Sequence, residues 1–375
     1  MCFNGAEYMK IIRPEFWKKF QCIGGNCTDN CCIGWEICID QQSLEYYKNI
    51  QGQLGEKLKK SIEKEDDEYR FTMCNGRCTF LNEKNLCELI VGLGEESLCD
   101  ICREHPRFYE DFGVRQEAGL GLCCEEAVRL LLEHEVPLKF EMVENEDDDQ
   151  ETENYEWFPE LDVARTLFFQ ILQNREVSWN VRLMDMLVLT DKIQEQINKE
   201  NPSGIWEVLE KYKQNNGLCV EKTWDVSKEM WIDIRKEILK IFLDMEVMDE
   251  TWRHRLIKIR DRIEKLYEIK EIYRKEILSF AYEMEHLLVY QLFRYFLKGI
   301  DDEDILSKSR MAVAACMLIE LLHMDIWYEK GKIIQWDRIV NIKAYSKELE
   351  YCPENIDTLM DALWDEKFEK MYLCW

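Results

Sequence analysis

Thirteen of the chain's 17 cysteines lie within its first 124 residues, and they are grouped. One group is Cys22, Cys27, Cys31 and Cys32, with Cys38 close behind. A second is Cys74, Cys78, Cys87, Cys99 and Cys102, closing with the pair Cys123–Cys124. Closely spaced thiolates are soft ligands for zinc or for iron–sulfur clusters. The density is too high and too local for ordinary buried cysteines. The amino-terminal third is therefore expected to be organised around a metal centre.

Disulfides are the rival explanation, and they need an oxidising compartment, which normally needs an export signal. The first eight residues, Met1 to Tyr8, carry neither a basic segment nor an apolar one. No stretch reads as the ~18 apolar residues of a spanning helix. The chain thus reads as cytoplasmic, with reduced thiols available to metal. Its net charge of −26 and pI near 4.7 repel phosphate backbones and anionic lipid, which argues against nucleic acid and membrane as partners. A lysine-bearing protein partner is compatible with that charge, although solubility alone accounts for it. The charge leaves the oligomeric state open, with a monomer as the default.

The expected fold is mainly α: a loop-rich, cysteine- and metal-binding amino-terminal domain followed by an all-α helical domain. Glycines from Gly24 to Gly121 punctuate the first part, whose loops are expected to be held by metal rather than by a large apolar core. Residues 88–98 read as a short helix or turn that delivers Cys87 to one side and Cys99 to the other. The run Glu125 to Glu133 reads as a helix with acidic residues in its first turn, where the helix dipole favours them. Nine carboxylates between residues 141 and 156, including Glu146 to Asp149, read as a solvated acidic linker or loop. The boundaries are thus 1–140 for the cysteine-rich domain, 141–157 for the linker and 158–375 for the helical domain. In the last part apolar residues recur at three and four over 163–172, 181–197, 230–245, 257–297 and 311–328, which predicts seven to nine helices. Strand signals are weak throughout.

The segment Phe20–Trp35 is the strongest local signal: four thiols within eleven positions, with glycines between that let backbone amides turn toward sulfur. Adjacent cysteines cannot easily share one small ion, so Cys31 and Cys32 point to different metals or to one spare thiol. Cys99-Asp100-Ile101-Cys102 has the two-residue spacing common to zinc and iron–sulfur sites, and the cysteines alone do not choose between them. After it come His105 and Arg107. His105 fits a metal ligand or proton carrier, but more often such a histidine is a packing residue. Arg107 fits a carboxylate or phosphate, but more often it pairs with a nearby acid. The three-cysteine ligand set of radical enzymes, a glycine-rich dinucleotide fingerprint, a nucleophile elbow and a zinc-protease helix are all absent from the pattern. A catalytic base and a cofactor loop are not identifiable by pattern.

At these residues the chain resembles the flagellin lysine-N-methylase (FliB) family. The resemblance begins at Pro14-Glu15-Phe16 and Phe20-Gln21-Cys22, and runs through Gly24, Cys27, Asp29, Cys31-Cys32, Gly34-Trp35 and Ile39-Asp40. It resumes at Arg77–Leu81, Leu86-Cys87, Leu93–Cys99 and Cys102, then at Pro106-Arg107 and Cys123. Arg165–Arg175, Arg182-Leu183 and Glu285–Phe296 resemble the family's helical body. The first half is also similar to small bacterial cysteine-cluster domains described only as zinc or iron chelators. Cys124 stands where the family has proline, and Cys2, Cys38 and Cys74 look like additions. Cys219, Cys316, Cys352 and Cys374 are isolated. The resemblance implies Cys22, Cys27, Cys31, Cys32, Cys78, Cys87, Cys99, Cys102 and Cys123 as the metal-binding thiols. A 4Fe–4S cluster would take four of these, with zinc instead or in addition as the other reading. It also implies methyl transfer from S-adenosyl-L-methionine to lysine side chains, with flagellin as the protein substrate. Two readings compete with that enzyme: a non-catalytic iron- or zinc-binding adaptor, and a redox carrier.

Overall fold

The amino-terminal third pairs its backbone more extensively than its side-chain pattern suggests. The computed structural model describes residues 9–65, 67–113, 115–145, 155–215, 217 and 226–375. Strand β1 (Met9–Pro14) leads into the cysteine loop, followed by β2 (Cys38–Ile39), α1 (Gln41–Lys48), α2 (Gly52–Lys60), β3 (Ile62–Glu65) and β4 (Glu68–Phe71). A two-residue hairpin, β5 (Met73–Cys74) and β6 (Arg77–Cys78), comes next, then α3 (Glu88–Leu93) and α4 (Asp100–Glu104). The third closes with β7 (Arg107–Asp111), β8 (Gln116–Leu120), α5 (Glu125–Leu132) and β9 (Phe140–Asn145). Strands β7-β8-β1-β9 form one sheet in that order, in which β1 and β8 run parallel and the other pairs antiparallel. A second sheet has the order β2-β4-β3. Strands of two residues carry no alternation to read, which is why the sequence gives so little sign of them.

The stretch expected as an acidic linker is only partly described. Its first residues are not linker: Glu141 lies in β9 opposite Arg13, whose Nε donates to it at 2.9 Å, and Lys18 Nζ adds a 3.1 Å contact. The run Glu146–Asp149 lies outside the described residues, as do Cys2 and Cys219.

Apolar packing groups the chain differently from its composition. A small core holds Ile37, Leu44, Tyr47, Leu58, Phe71, Phe80 and Leu89, together with Cys78 and Cys99. Within it Tyr47, Phe71 and Phe80 pack in series, the first pair tilted and the second edge-to-face, with centroids 5.7 and 5.0 Å apart. The cysteine region therefore has an apolar core of its own, which the expectation of metal-held loops did not foresee. Phe16, Phe112, Leu120, Leu122 and α5 instead belong to the large core of the helical body. The excursion between them starts and ends at one neck, where the Arg107 guanidinium lies 5.2 Å from the centre of the Phe20 ring.

The helical body consists of α6 (Phe158–Leu172), α7 (Trp179–Ile197), α8 (Pro202–Gln214), α9 (Lys228–Asp244), α10 (Glu250–Asp261), α11 (Ile263–Glu276), α12 (Tyr282–Tyr295), α13 (Gly299–Asp302), α14 (Leu306–Lys330), α15 (Gln335–Leu349) and α16 (Pro353–Leu363). The single periodic run read over 257–297 is three helices, broken at Arg262 and again between Ile277 and Ala281. Asn201 caps α8 by accepting from Gly204 N at 3.2 Å, with Pro202 following at the first helical position, the usual chemistry of a helix start. Helix α14 corrects the sequence reading that no segment is apolar enough to span a membrane. It passes by length and hydropathy, but 83% of its apolar window is buried inside the protein. A helix apolar on every side suits the centre of a bundle, and α7, α9, α11, α12, α15 and α16 surround it.

Buried ion pairs fix how these layers meet. Arg165 on α6 donates to Glu117 on β8 at 2.7 Å and to the Phe293 carbonyl at 3.2 Å, tying sheet to bundle. Glu285 on α12 accepts from Arg175 at 2.9 Å and from Arg182 at 2.8 Å. Glu320 on α14 accepts from Arg235 at 2.6 Å and from Arg274 at 3.1 Å.

Candidate functional site

Six of the singled-out thiols share one nest. The loop before β2 returns against the β5–β6 hairpin: Cys78 N donates to the Cys32 carbonyl at 2.8 Å, and Gly34 N to the Gly76 carbonyl at 2.7 Å. Leu81 and Cys87 form an isolated bridge, which brings Cys87 back beside this hairpin. Cys87 is the N-cap of α3 and Cys99 the N-cap of α4, so the short helical segment between them does present the two cysteines at its ends. Asp40 ties the start of α4 to the start of α1, accepting from Asp100 N at 2.9 Å and from Ser43 N at 2.8 Å.

The electrostatics show the convergence. A hydrogen bond from Cys32 lowers the Cys31 thiol and raises Cys32 in return. Cys99 and Cys102 behave alike: the bond lowers Cys99 and raises Cys102. Burial, then the neighbouring charges of Cys87 and Cys99, push Cys78 up to about 11. Burial also raises Cys87, which feels Cys31 and Cys99. Within each of these two pairs one thiolate is favoured and its partner disfavoured, while Cys78 and Cys87 are disfavoured by burial and by the neighbouring sulfur charges.

A second, smaller group adjoins the nest. Cys27 lies 3.3 Å from the Asp29 carbonyl and 3.8 Å from Glu125, whose carboxylate also accepts from Thr28 N at 3.1 Å. Cys123 is buried and pushed up to about 12 by desolvation, while a hydrogen bond with Tyr351 works the other way. Cys124, at the N-cap of α5, is likewise raised to about 12 by burial. Cys22 is exposed and accepts a 3.4 Å contact from Gly24 N. Cys38 stands apart beside Glu68, at 3.4 Å, and Cys74 is exposed. Cys316 and Cys374 are buried in the helical body, and Cys352 precedes α16.

Soft thiolates suit zinc or iron, so the donor chemistry of the nest fits such a metal. Among the described residues, however, no three His, Cys, Asp or Glu side chains are grouped as a set able to hold a metal ion.

Several residues at this junction carry no sequence signal. Lys343 on α15 donates to the Asp29 carbonyl at 2.9 Å and pairs with its carboxylate at 3.0 Å. Lys347, one turn on, reaches the Ile33 carbonyl at 3.4 Å and lies over the Trp35 ring. The i, i+4 spacing places both on one helix face, but lysines so spaced usually face solvent. Behind Cys123 lies a buried network in which Arg294 donates to Tyr290 Oη and to Glu350, both at 2.8 Å, and Gln291 donates to Glu350 at 2.7 Å. Two glycines read only as loop punctuation permit its packing. A Cβ on Gly119 would lie 2.1 Å from Phe108 Cζ, and one on Gly121 2.1 Å from Tyr351 Oη. Arg294 in turn covers the Phe108 face at 4.6 Å. His105 is held down at about 4 by burial and by the Lys343 charge, so it is a neutral packing residue at neutral pH. Arg107 stacks over Trp17 and Phe20 instead of answering an acid.

A thiol-rich excursion clamped onto a helical bundle by lysines and buried arginine networks defines a class of cysteine-rich, mostly helical protein. Within that class the chain belongs to the FliB lysine N-methylase family, since the model of the FliB lysine N-methylase C-terminal domain matches residues 165–374. Curated relatives match a shorter stretch. The flagellar biosynthetic protein FliU of Salmonella muenchen is 27% identical over 129 residues, covering 32% of this chain and 76% of its own. The lysine-N-methylases of Salmonella typhimurium and Salmonella choleraesuis are each 26% identical over 129 residues, covering 32% of this chain. The alignment spans about a third of the length of those two enzymes, 32% in each case. No solved structure matches.

Proposed function

We propose that this chain is a cytoplasmic protein-lysine N-methyltransferase that moves a methyl group from S-adenosyl-L-methionine to lysine side chains of flagellin. The observation that carries the reading is the family match across most of the helical body, from Arg165 to Cys374. The names of the relatives, lysine-N-methylase and flagellar biosynthetic protein, support the substrate. In the reaction the lysine nitrogen, as the neutral amine, attacks the sulfonium methyl carbon. The new N–C bond forms as the C–S bond breaks, S-adenosylhomocysteine departs, and the methylated ammonium gives up its proton. A lysine pKa near ~10.4 means that this protein must favour the neutral amine and exclude water around it. The net charge of −26 favours encounter with a lysine-bearing surface without setting its specificity.

The test is incubation of the purified full chain with methyl-labelled S-adenosylmethionine and unpolymerised flagellin, followed by mass spectrometry of the flagellin lysines. Labelled methyl-lysine is the expected result. Binding of S-adenosylmethionine without any labelled lysine would remove the enzyme reading and favour the adaptor.

The proposal extends to the thiol nest as the seat of a 4Fe–4S cluster or zinc, held by thiols drawn from Cys22, Cys27, Cys31, Cys32, Cys78, Cys87, Cys99, Cys102 and Cys123. Such a group supplies structural closure of the loops. No step of the methyl transfer is assigned to it. Serine at Cys99 or Cys102 is expected to lower iron or zinc content sharply, whereas serine at Cys38 or Cys74 leaves it unchanged. Metal analysis of protein purified without oxygen checks this, and equal loss in both sets would refute the assignment.

A further inference from the structure

Helices α10, α14 and α15 enclose an open cleft of about 450 Å³, a size suited to a small ligand. Arg255 of α10 lines it, and its guanidinium donates to Asn341 Oδ1 on α15. Asn341 is fully buried, yet its amide nitrogen Nδ2 has no hydrogen-bond partner. A buried donor left without an acceptor costs about 1–3 kcal/mol, so an orphan lining a cleft calls for an acceptor brought by something else.

The charges around Arg255 do not supply that acceptor. Asp325, Asp337 and Glu329 are close enough to act on its charge, but each is bonded elsewhere. Asp325 pairs with Arg262 at 2.6 Å, Glu329 with Lys258 at 2.6 Å, and Asp337 with Lys330 at 2.8 Å. Burial holds the Arg255 pKa below its ordinary value, which marks a guanidinium short of compensation. The second oxygen of Asp325 keeps only a 3.4 Å contact with Lys258, leaving room for another cation. Trp336 and Val340, one turn apart on α15, stand exposed on the rim and offer an apolar surface. The cleft thus pairs two oxygen-seeking donors with a carboxylate wall and an aromatic lip. The larger cleft between α9, α10 and α11 lacks this combination: among the described residues, none of its lining side chains holds a buried orphan donor.

We propose that this cleft binds an α-amino-acid zwitterion, with its carboxylate on Arg255 and Asn341 Nδ2, its ammonium beside Asp325, and its side chain along Trp336 and Val340. Resting on the function proposed above, the ligand is the methionine end of S-adenosylmethionine. The test is calorimetric titration of the full chain with L-methionine, S-adenosylhomocysteine and adenosine in turn. Arg255→Gln is expected to weaken methionine and S-adenosylhomocysteine at least tenfold and to leave adenosine unchanged. Hydrogen exchange on the unaltered protein supplies a second readout, independent of whether the variant folds. Methionine should slow exchange in α10 and in the first half of α15. Unchanged affinity in a folded Arg255→Gln, no methionine binding at all, or protection confined to other elements overturns the proposal. If methionine binding at this cleft fails while flagellin is still methylated, only the cleft assignment falls. If the cleft binds as described and flagellin is never methylated, only the proposed activity falls.

Discussion

Replacing Glu320 with alanine is expected to destabilise the protein by about 3–5 kcal/mol, the cost of breaking a buried ion pair from one side. Glu320 sits on α14 at the centre of the bundle, 3% exposed, and answers two guanidiniums. One of them, Arg235, is 0% exposed and would keep only the Cys374 carbonyl, at 2.6 Å, and the face of Trp231. A carbonyl satisfies a donor but not a full charge. Arg274 is a quarter exposed and turns to water at little cost, so Arg274→Ala is expected to lose far less. Urea midpoints of the two variants check the contrast. A Glu320→Ala loss below about 1 kcal/mol would mean that Arg235 is neutralised by something other than this pair.

Acid is expected to unfold the chain well above the range in which ordinary carboxylates titrate. Burial holds His286 at about 4 and His323 at about 3, and burial with the Lys343 charge holds His105 at about 4, all below the ordinary 6.5. The native protein keeps these imidazoles neutral, while the unfolded chain takes up protons below about 6.5, so stability rises with pH across this window. The contribution is intact above about 6.5 and lost progressively as pH falls toward about 4, at roughly 2 kcal/mol for each histidine by pH 4.5. Asp191 opposes them: burial lifts it to about 6, so the native carboxyl takes its proton first and gains stability as pH falls. Burial also raises Glu283 and Glu348, which act in the same sense as Asp191. The expected balance with the three histidines is a net loss of stability, read from urea midpoints at stepped pH. A flat profile between about pH 6.5 and 4.5 would show that these histidines are hydrated in the native state.

The sequence made the helical body legible because amphipathic periodicity survives burial on one face. Val163–Leu172 and Val181–Ile197 fall within α6 and α7. It failed where helices abut without a breaker, as at Arg262, whereas the run over 311–328 falls within α14 even though that helix is apolar on every side. The resemblance singled out Arg165, Arg175, Arg182 and Glu285 as separate segments, and the structure pairs Arg175 and Arg182 with Glu285 inside the bundle and Arg165 with Glu117 of the sheet. In the cysteine region the spacing of thiols indicated grouping, and six do converge. What spacing could not give is the partner side: Lys343, Lys347, Arg294 and Glu350 lie more than 150 residues beyond the cysteines they adjoin. Nor could it show the zwitterion cleft, where the telling feature is an amide nitrogen with nothing to bond.

The neck at Phe20 and Arg107 has a consequence for how such a chain can change over time. Because the segment between them leaves and rejoins the bundle at one place, the bundle is threaded as though that segment were a single surface loop. Insertions are tolerated best at such points, and the closure cost grows only slowly with the length of what is inserted. Residues 21–106 are in this sense a cassette. They can be lengthened, exchanged or pared down in a descendant without rerouting a single helix, provided that the lysine contacts on α15 find something to hold.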